Sequence, residues 1–156
     1  MVQLRSIRRP LRRFAQVGPR RRLLVLEAAA CLLAARLALV FIPFPRLAGW
    51  LGTFVPPTDQ RAARASATPR DVELAKEIGW AVTRSARYVP FRAVCLPQAM
   101  AAQAMLKRRG VASVMHFGAG KGSDKPLDAH AWLDAAGVEV TGYPVAPNLA
   151  EIACFV

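Results

Sequence analysis

The stretch from Cys95 to Gly142 constrains the fold of this chain most, because it predicts one helix followed by three short strands. Residues 99–109 are rich in strong helix formers, and Gly110 supplies the left-handed residue that commonly ends a helix. Strands are predicted over residues 111–117, 127–133 and 138–142. The pattern indicates one α+β domain in which helices pack on a small antiparallel sheet.

Cys95 lies at or just before the N-cap of the predicted helix, and His130 lies in the second predicted strand. Unpaired N–H groups and the positive dipole end favour a thiolate there, and can lower a thiol pKa from about 8.5 to between about 3.5 and 7.5. The same N–H groups can hold the oxyanion of a tetrahedral intermediate. A cysteine at a helix N-terminus and a histidine on a later strand are typical of a nucleophile and its base.

The remaining cysteines and the other histidine receive structural interpretations. Cys31 and Cys154 lie in apolar stretches and are predicted to be small buried hydrophobes, and His116 is predicted to be structural or to face the rim. An odd number of cysteines without a secretion signal favours free thiols in a reducing cytoplasm. No Cys-x-x-Cys or His-x-x-x-His spacing occurs, so neither a metal nor another cofactor is predicted. The glycine-rich residues 118–122 are interpreted as a mobile loop beside the active site.

Three motifs follow one another along the chain, Pro90–Ala99, Leu106–Ala112 and Ala129–Leu133, and an apolar helix precedes them. Taken together, they resemble the lasso-peptide biosynthesis B proteins, in which such a helix is common. The resemblance covers about residues 22–145 and implies a papain-related, transglutaminase-like fold and the activity of a leader peptidase. It implies that Cys95 is the nucleophile and that His130 acts first as the base and then as the acid.

The third catalytic residue does not transfer from this resemblance. The family pattern places an acid about a dozen residues after the histidine, where this chain has Gly142 and Tyr143. A three-residue loop at 135–137 would pair His130 with Gly142, and Glu139 would then point to the opposite face. The candidate substitutes are Asp128 and Asp134 on the His130 face, and Asn148 or the Tyr143 hydroxyl if the chain bulges. The sequence therefore supports a dyad, with Trp132 on the same face as part of the core or of the substrate groove.

The resemblance also implies partners. The peptidase motifs and their preceding helices account for most of the chain, so we expect a discrete leader peptidase of the split type. It would act on the leader region of a precursor peptide, together with a separate leader-recognition protein and the lasso cyclase, and without nucleic acid. An acyltransferase or transglutaminase on the same fold is an alternative. A non-catalytic binding subunit is another, favoured by the missing acid.

The N-terminal part of the chain divides into a basic arm and an apolar helix. Residues 1–22 carry eight arginines and no acid, within a net charge of +12, and are predicted to be a flexible arm that is solvated or touches anionic lipid. Residues 23–43 are apolar, but Glu27 and Arg36 argue against a membrane span, since a central charge costs about 2.5 to 3.5 kcal/mol. We predict a core helix in a domain over 23–156, with a membrane-surface helix as the alternative.

A second helix is predicted upstream of Cys95. Thr68 suits the N-cap, Pro69 the first helical position and Asp71 the capping box. Its apolar stripe, running to about Ala86, is expected to pack against the helix that begins near Cys95. The preceding residues from Thr53 are interpreted as a linker.

Overall fold

The structure, a computed structural model, describes residues 18–60, 67–121 and 127–156. Most of the predicted basic arm, part of the linker and most of the loop after residue 120 lie outside these ranges. The helices are α1 (Pro19–Phe41), α2 (Phe44–Leu51), α3 (Pro69–Ala86) and α4 (Cys95–Lys107). The strands are β1 (Phe54–Val55), β2 (Ser113–Gly120), β3 (Asp128–Ala135), β4 (Val138–Thr141) and β5 (Ala150–Phe155).

Helix α1 contributes one face to the hydrophobic core. Its buried residues recur at helical spacing and are Leu24, Ala28, Leu32 and Ala35. They pack against α3 and α4, as predicted for a core helix. The helix begins at Pro19, so Arg20, Arg21 and Arg22 belong to it and not to a flexible arm. By length and composition alone α1 could also cross a membrane.

The capping box of α3 forms as predicted. The Thr68 side chain accepts a hydrogen bond from the Asp71 N–H at 3.3 Å, and Asp71 Oδ2 accepts one from the Thr68 N–H at 3.0 Å. The helix ends at Ala86, and its apolar stripe packs against both α1 and α4. Helix α3 therefore helps to position α4, which begins at Cys95.

The five strands form one antiparallel sheet in the order β1-β5-β2-β3-β4. Strand β1 lies in the predicted linker, and β5 was not predicted either. The α+β class is confirmed, with helices on one face of an antiparallel sheet. The last strand in sequence therefore lies inside the sheet, between β1 and β2.

The two faces of this sheet differ in chemistry. Met115 pairs with Leu133 and with Phe155, and all three belong to the core that packs against the helices. The neighbouring residues point to the other face, where His116 pairs with Trp132 and with Cys154. The second face therefore gathers histidine, tryptophan and thiol side chains, and we call it the polar face.

The glycine-rich segment is not a loop at Gly118 to Gly120, because these residues form the end of β2. A side chain at Gly118 would lie 2.8 Å from the Trp132 ring, and one at Gly120 would collide with the Asn148 carbonyl. The glycines therefore permit close approach within a sheet, which the sequence interpretation mistook for mobility.

The hairpin between β3 and β4 also differs from the prediction. Ala135 pairs with Val138 across a two-residue turn at Ala136 and Gly137, whose φ angles are +51° and +75°. A register shift after Leu133 changes the pairing that a regular three-residue loop would give. Asp134 pairs with Glu139, so Glu139 lies on the same face as Asp134 and not on the opposite one, which corrects the expectation.

Candidate functional site

Cys95 is the first residue of α4, one position inside the predicted boundary, because Val94 is the N-cap. No side chain caps this end of the helix. The first-turn N–H groups therefore have no acceptor within the helix and point along the axis toward the thiol end. Pro97 is the third helical residue, where its missing N–H costs no hydrogen bond. Cys95 is half-buried and is a free thiol.

His130 is half-buried on β3, and its ring is fixed by two contacts. Nε2 donates a hydrogen bond to the Gly142 carbonyl oxygen at 2.6 Å. The ring also stacks on Trp132, with centroids 6.1 Å apart and planes inclined by 21°. Because a carbonyl oxygen only accepts, the neutral ring carries its proton on Nε2 and presents Nδ1 as the basic nitrogen.

Gly142 occupies the position at which the sequence resemblance led us to expect an acid, and this chain has no room there for a side chain. Its φ is +86°, and a Cβ would lie 2.5 Å from the Ala131 carbonyl oxygen and 2.7 Å from Trp132 Cβ. The register places Thr141 opposite Leu133, so Gly142 is not the ladder partner of His130 that the sequence suggested. The backbone carbonyl therefore serves as the acceptor for the imidazole.

The substitutes considered for the missing acid lie in other interactions. Asp134 accepts a hydrogen bond from the Tyr143 hydroxyl at 2.5 Å and lies 3.4 Å from His116 Nε2. Burial, followed by the Asp134 carboxylate, raises the pKa of Tyr143. Asn148 donates to the Lys121 carbonyl at 3.0 Å, and Asp128 is exposed at the start of β3.

The structure does not join the two predicted catalytic side chains directly. No hydrogen bond among the described residues links Cys95 to His130. Helix α4 packs on β3 through the face that carries Leu133, whereas His130 shares the polar face with Trp132. The structure thus supplies an oriented imidazole and a thiol at a helix N-terminus.

Trp132 is 7% exposed, and its ring contacts two histidine rings. The His116 ring is nearly parallel to it, with centroids 5.5 Å apart and an interplanar angle of 6°. The His130 ring stacks on the same indole. The buried indole therefore contacts both imidazoles of the polar face.

A second group of chemical side chains was missed by the sequence interpretation. His116 Nδ1 lies 2.5 Å from Glu151 Oε1, and Cys154 Sγ lies 2.8 Å from the same oxygen and 3.6 Å from Nδ1. We call these three residues the His116 cluster. Cys154 is buried, as predicted, but its thiol contacts the polar side chains of His116 and Glu151. His116 is also buried, and its ring lies next to the carboxylates of Asp134 and Glu151.

The electrostatics of the His116 cluster follow from burial and from these carboxylates. Burial, reinforced by Glu151, raises the pKa of the Cys154 thiol to about 12. Burial alone would lower the pKa of His116, but the nearby Asp134 and Glu151 carboxylates outweigh it, and the pKa is raised. Both residues were named from the sequence, but their proximity was not predicted, because their spacing along the chain has no local pattern.

Comparison with protein families gives one result that spans most of the chain. A model described as the transglutaminase-like superfamily matches residues 38–153, a range that contains both Cys95 and His130. The comparisons with curated proteins and with solved structures give no match.

Proposed function

We propose a cysteine-peptidase function for this chain because it belongs to the transglutaminase-like superfamily, whose members are generally cysteine-dependent enzymes. The proposed reaction is removal of the leader from a ribosomally synthesised lasso precursor peptide. The resemblance of the motifs around Cys95 and His130 to lasso-peptide B proteins supports this finer assignment. The observation that carries the cysteine-peptidase proposal is the hydrogen bond from His130 Nε2 to the Gly142 carbonyl oxygen. This bond orients the ring and leaves Nδ1 free to act as a base.

In the proposed mechanism, His130 Nδ1 takes the proton of Cys95, and the thiolate attacks the carbonyl carbon between leader and core. A C–S bond forms, and the first-turn N–H groups of α4 stabilise the oxyanion. The imidazolium then protonates the leaving nitrogen as the C–N bond breaks, which releases the core and leaves the leader as a thioester. Water attacks this thioester with His130 as the base, and the leader leaves as a carboxylic acid while Cys95 regains its proton.

The direct contact between thiol and imidazole belongs to the substrate-bound state in this proposal. Forming this contact requires the imidazole and the first turn of α4 to move toward each other, because His130 lies on the polar face and α4 packs against the other face of the sheet. Catalytic contacts that are not made in a free enzyme can form in its substrate complex. A neutral carbonyl also stabilises an imidazolium less than a carboxylate does. We therefore expect slower turnover than in an enzyme with a Cys-His-Asp triad.

The proposal is tested with purified full-length protein, a lasso-type precursor peptide and a leader-recognition protein, with product masses as the readout. We expect separate leader and core fragments from the wild type, and none from Cys95→Ala or His130→Ala. Cys31→Ala, which removes a half-buried thiol on α1, is the matched control and is expected to retain cleavage. Cleavage that persists in Cys95→Ala would refute the nucleophile assignment.

Two alternatives give different results in the same experiment. An acyltransferase would yield a leader whose mass is increased by an added amine instead of water. A non-catalytic binding subunit, which the lack of a carboxylate at Gly142 favours, would cleave nothing while the precursor remained bound. In that case Cys95 would react with iodoacetamide near neutral pH no faster than an ordinary exposed thiol.

The proposed partners are the leader region of the precursor, a separate leader-recognition protein and the lasso cyclase. We also propose a cytoplasmic location with peripheral contact to anionic lipid. The outer faces of α1 and α2 support the lipid contact, because both expose large apolar side chains next to a basic N-terminal segment. On α1 and α2 these residues are Leu23, Leu26, Leu33, Leu37, Val40, Phe41, Phe44 and Trp50.

A further inference from the structure

We propose that the His116 cluster binds a divalent transition-metal ion of the zinc class, through His116 Nδ1, Glu151 and Cys154 Sγ. One candidate ligand atom from each residue lies within 4.8 Å of the others. The site would be separate from the thiol at Cys95, and the inference does not rest on the peptidase proposal.

The sheet register brings the two buried ligands together. His116 on β2 and Cys154 on β5 are direct partners in the antiparallel ladder, and both side chains point to the polar face. Their Nδ1 and Sγ atoms are 3.6 Å apart. A tetrahedral zinc ion with usual bond lengths of about 2.0 Å to nitrogen and about 2.3 Å to sulfur separates these atoms by about 3.5 Å. The two ligands therefore already have the spacing that a shared ion requires.

A β-bulge supplies the third ligand. Regular alternation would place Glu151 and Cys154 on opposite faces of β5, since they are three residues apart. The register instead steps from Ala153 opposite Phe117 to Glu151 opposite Gly118, which leaves Ile152 as the extra residue. This shift turns Glu151 toward His116 and Cys154, in the way that bulges redirect side chains at functional sites.

The outer contacts of His116 fit a metal ligand as well. Its Nε2 is buried without a hydrogen bond of good geometry, yet it lies 3.4 Å from Asp134 Oδ2. Metal-bound histidines characteristically direct the second ring N–H to a carboxylate, which fixes the tautomer and the ring plane. Asp134 is itself held by the Tyr143 hydroxyl, and Trp132 stacks on the imidazole.

The donor set determines the class of ion. Thiolate, imidazole and carboxylate together suit zinc and cobalt, whereas magnesium and calcium prefer oxygen ligands alone. Metal binding would replace the protons that Cys154 and His116 share with Glu151, and the Glu151 carboxylate would withdraw by about 1 Å to reach tetrahedral spacing. Its side chain is 32% exposed, which permits this movement and leaves a fourth position for water.

Cobalt titration of the chelator-treated full-length protein tests the proposal, because a Co²⁺–thiolate bond gives a near-ultraviolet charge-transfer band and tetrahedral Co²⁺ absorbs in the visible. We expect both in the wild type at about one equivalent, with displacement by Zn²⁺. Cys154→Ala should abolish the charge-transfer band, while Cys31→Ala and Cys95→Ala should retain it. Asp134→Asn should weaken binding by about 10- to 100-fold.

Three results would overturn the inference: no thiolate band in folded wild type, a band that persists in Cys154→Ala, or unchanged affinity in Glu151→Gln. The last variant guards against misfolding of Cys154→Ala, because Glu151 is exposed and its amide replacement preserves shape. A second readout is the thermal midpoint. Zn²⁺ should raise it in the wild type and in Cys31→Ala, and should raise it much less in Glu151→Gln.

Discussion

At the scale of single residues, the pairing of His130 with Gly142 shows how a backbone atom can take a position expected for a side chain. Sequence reasoning placed Cys95 at the start of a helix and His130 on a strand because both depend on local pattern. It could not identify the hydrogen-bond acceptor of the His130 ring. Every residue has a backbone carbonyl oxygen, so the residue type does not indicate which one accepts. The crowding around Gly142 explains why an acid is absent there.

The first prediction concerns this crowding. Gly142→Ala should lower the free energy of unfolding by more than Gly137→Ala, although both glycines have positive φ angles of +86° and +75°. An added Cβ at Gly137 meets nothing within 4 Å, so it brings only backbone strain of about 1 to 2 kcal/mol. At Gly142 it also meets Ala131 and Trp132, and overpacking adds about 1 to 3 kcal/mol. Urea unfolding of both variants measures the difference, and equal losses would contradict the described geometry.

At the scale of elements, the predictions that succeeded depended on caps and periodicity, and those that failed depended on register. The capping box at Thr68 fixed the start of α3, and helical spacing identified its buried stripe. The assumed three-residue loop placed Glu139 on the wrong face, because the turn between β3 and β4 has two residues. Regular alternation would also separate Glu151 from Cys154, because a bulge adds one residue without changing composition. Strand β1 was missed because its two residues are too few to show a period.

Helix α1 is attached to the C-terminal end of α4 by Glu27. Its carboxylate accepts hydrogen bonds from Arg109 at 2.6 Å and 3.0 Å and from Arg108 at 2.7 Å. These hydrogen bonds lower the pKa of Glu27 below its usual 4.5. The bond from Arg109 has the largest effect, and the bond from Arg108 adds to it. The Glu27 carboxylate, which argued against a membrane span in the sequence analysis, thus pairs with Arg108 and Arg109 in the fold.

The second prediction follows from this lowered pKa. A depressed carboxylate pKa stabilises the folded state above the unfolded pKa, and this stabilisation is lost as pH falls through the folded value. Glu27→Gln should therefore reduce stability at pH 7 by about 1 to 2 kcal/mol, and the deficit should shrink as pH falls below about 4.5. Urea unfolding as a function of pH measures it. Glu73→Gln, at an exposed position on α3, is the control; an equal deficit in that variant would refute the role of Glu27.

At the scale of the whole molecule, the sheet separates a helix-packed apolar face from a face that carries imidazoles, carboxylates and a thiol. The order of the predicted elements was sufficient to predict the α+β class, and the resemblance of three motifs to a known family implied the transglutaminase-like fold. They could not predict where β5 inserts, since long-range pairing is not written in any local pattern. The His116 cluster depends on that insertion, because two of its residues come from β5.

The third prediction concerns the exposed apolar surface of α1 and α2. The full-length protein should sediment with vesicles that contain phosphatidylserine, and much less with neutral vesicles or at high salt. Leu26→Glu with Phe41→Glu should weaken this association, since both side chains are exposed and their replacement leaves the core intact. Leu127→Glu, at an exposed apolar residue just before β3, is the matched control. Sedimentation only when the recognition protein is present would assign the surface to that protein instead.

The position of β5 has a kinetic consequence. Helix α4 and strands β2 to β4 are neighbours along the chain, so their contacts close short loops. Strand β1 has only β5 as its sheet partner within the described residues, and Phe54 pairs with Phe155. Pairing β1 with β5 closes a loop that contains the whole chain between Val55 and Ala150, and closing so long a loop is entropically costly and slow. We therefore expect the β2–β4 meander to assemble early, β5 to insert beside it, and β1 to join last, so that the N-terminal helices anchor to the sheet only in the final step of folding.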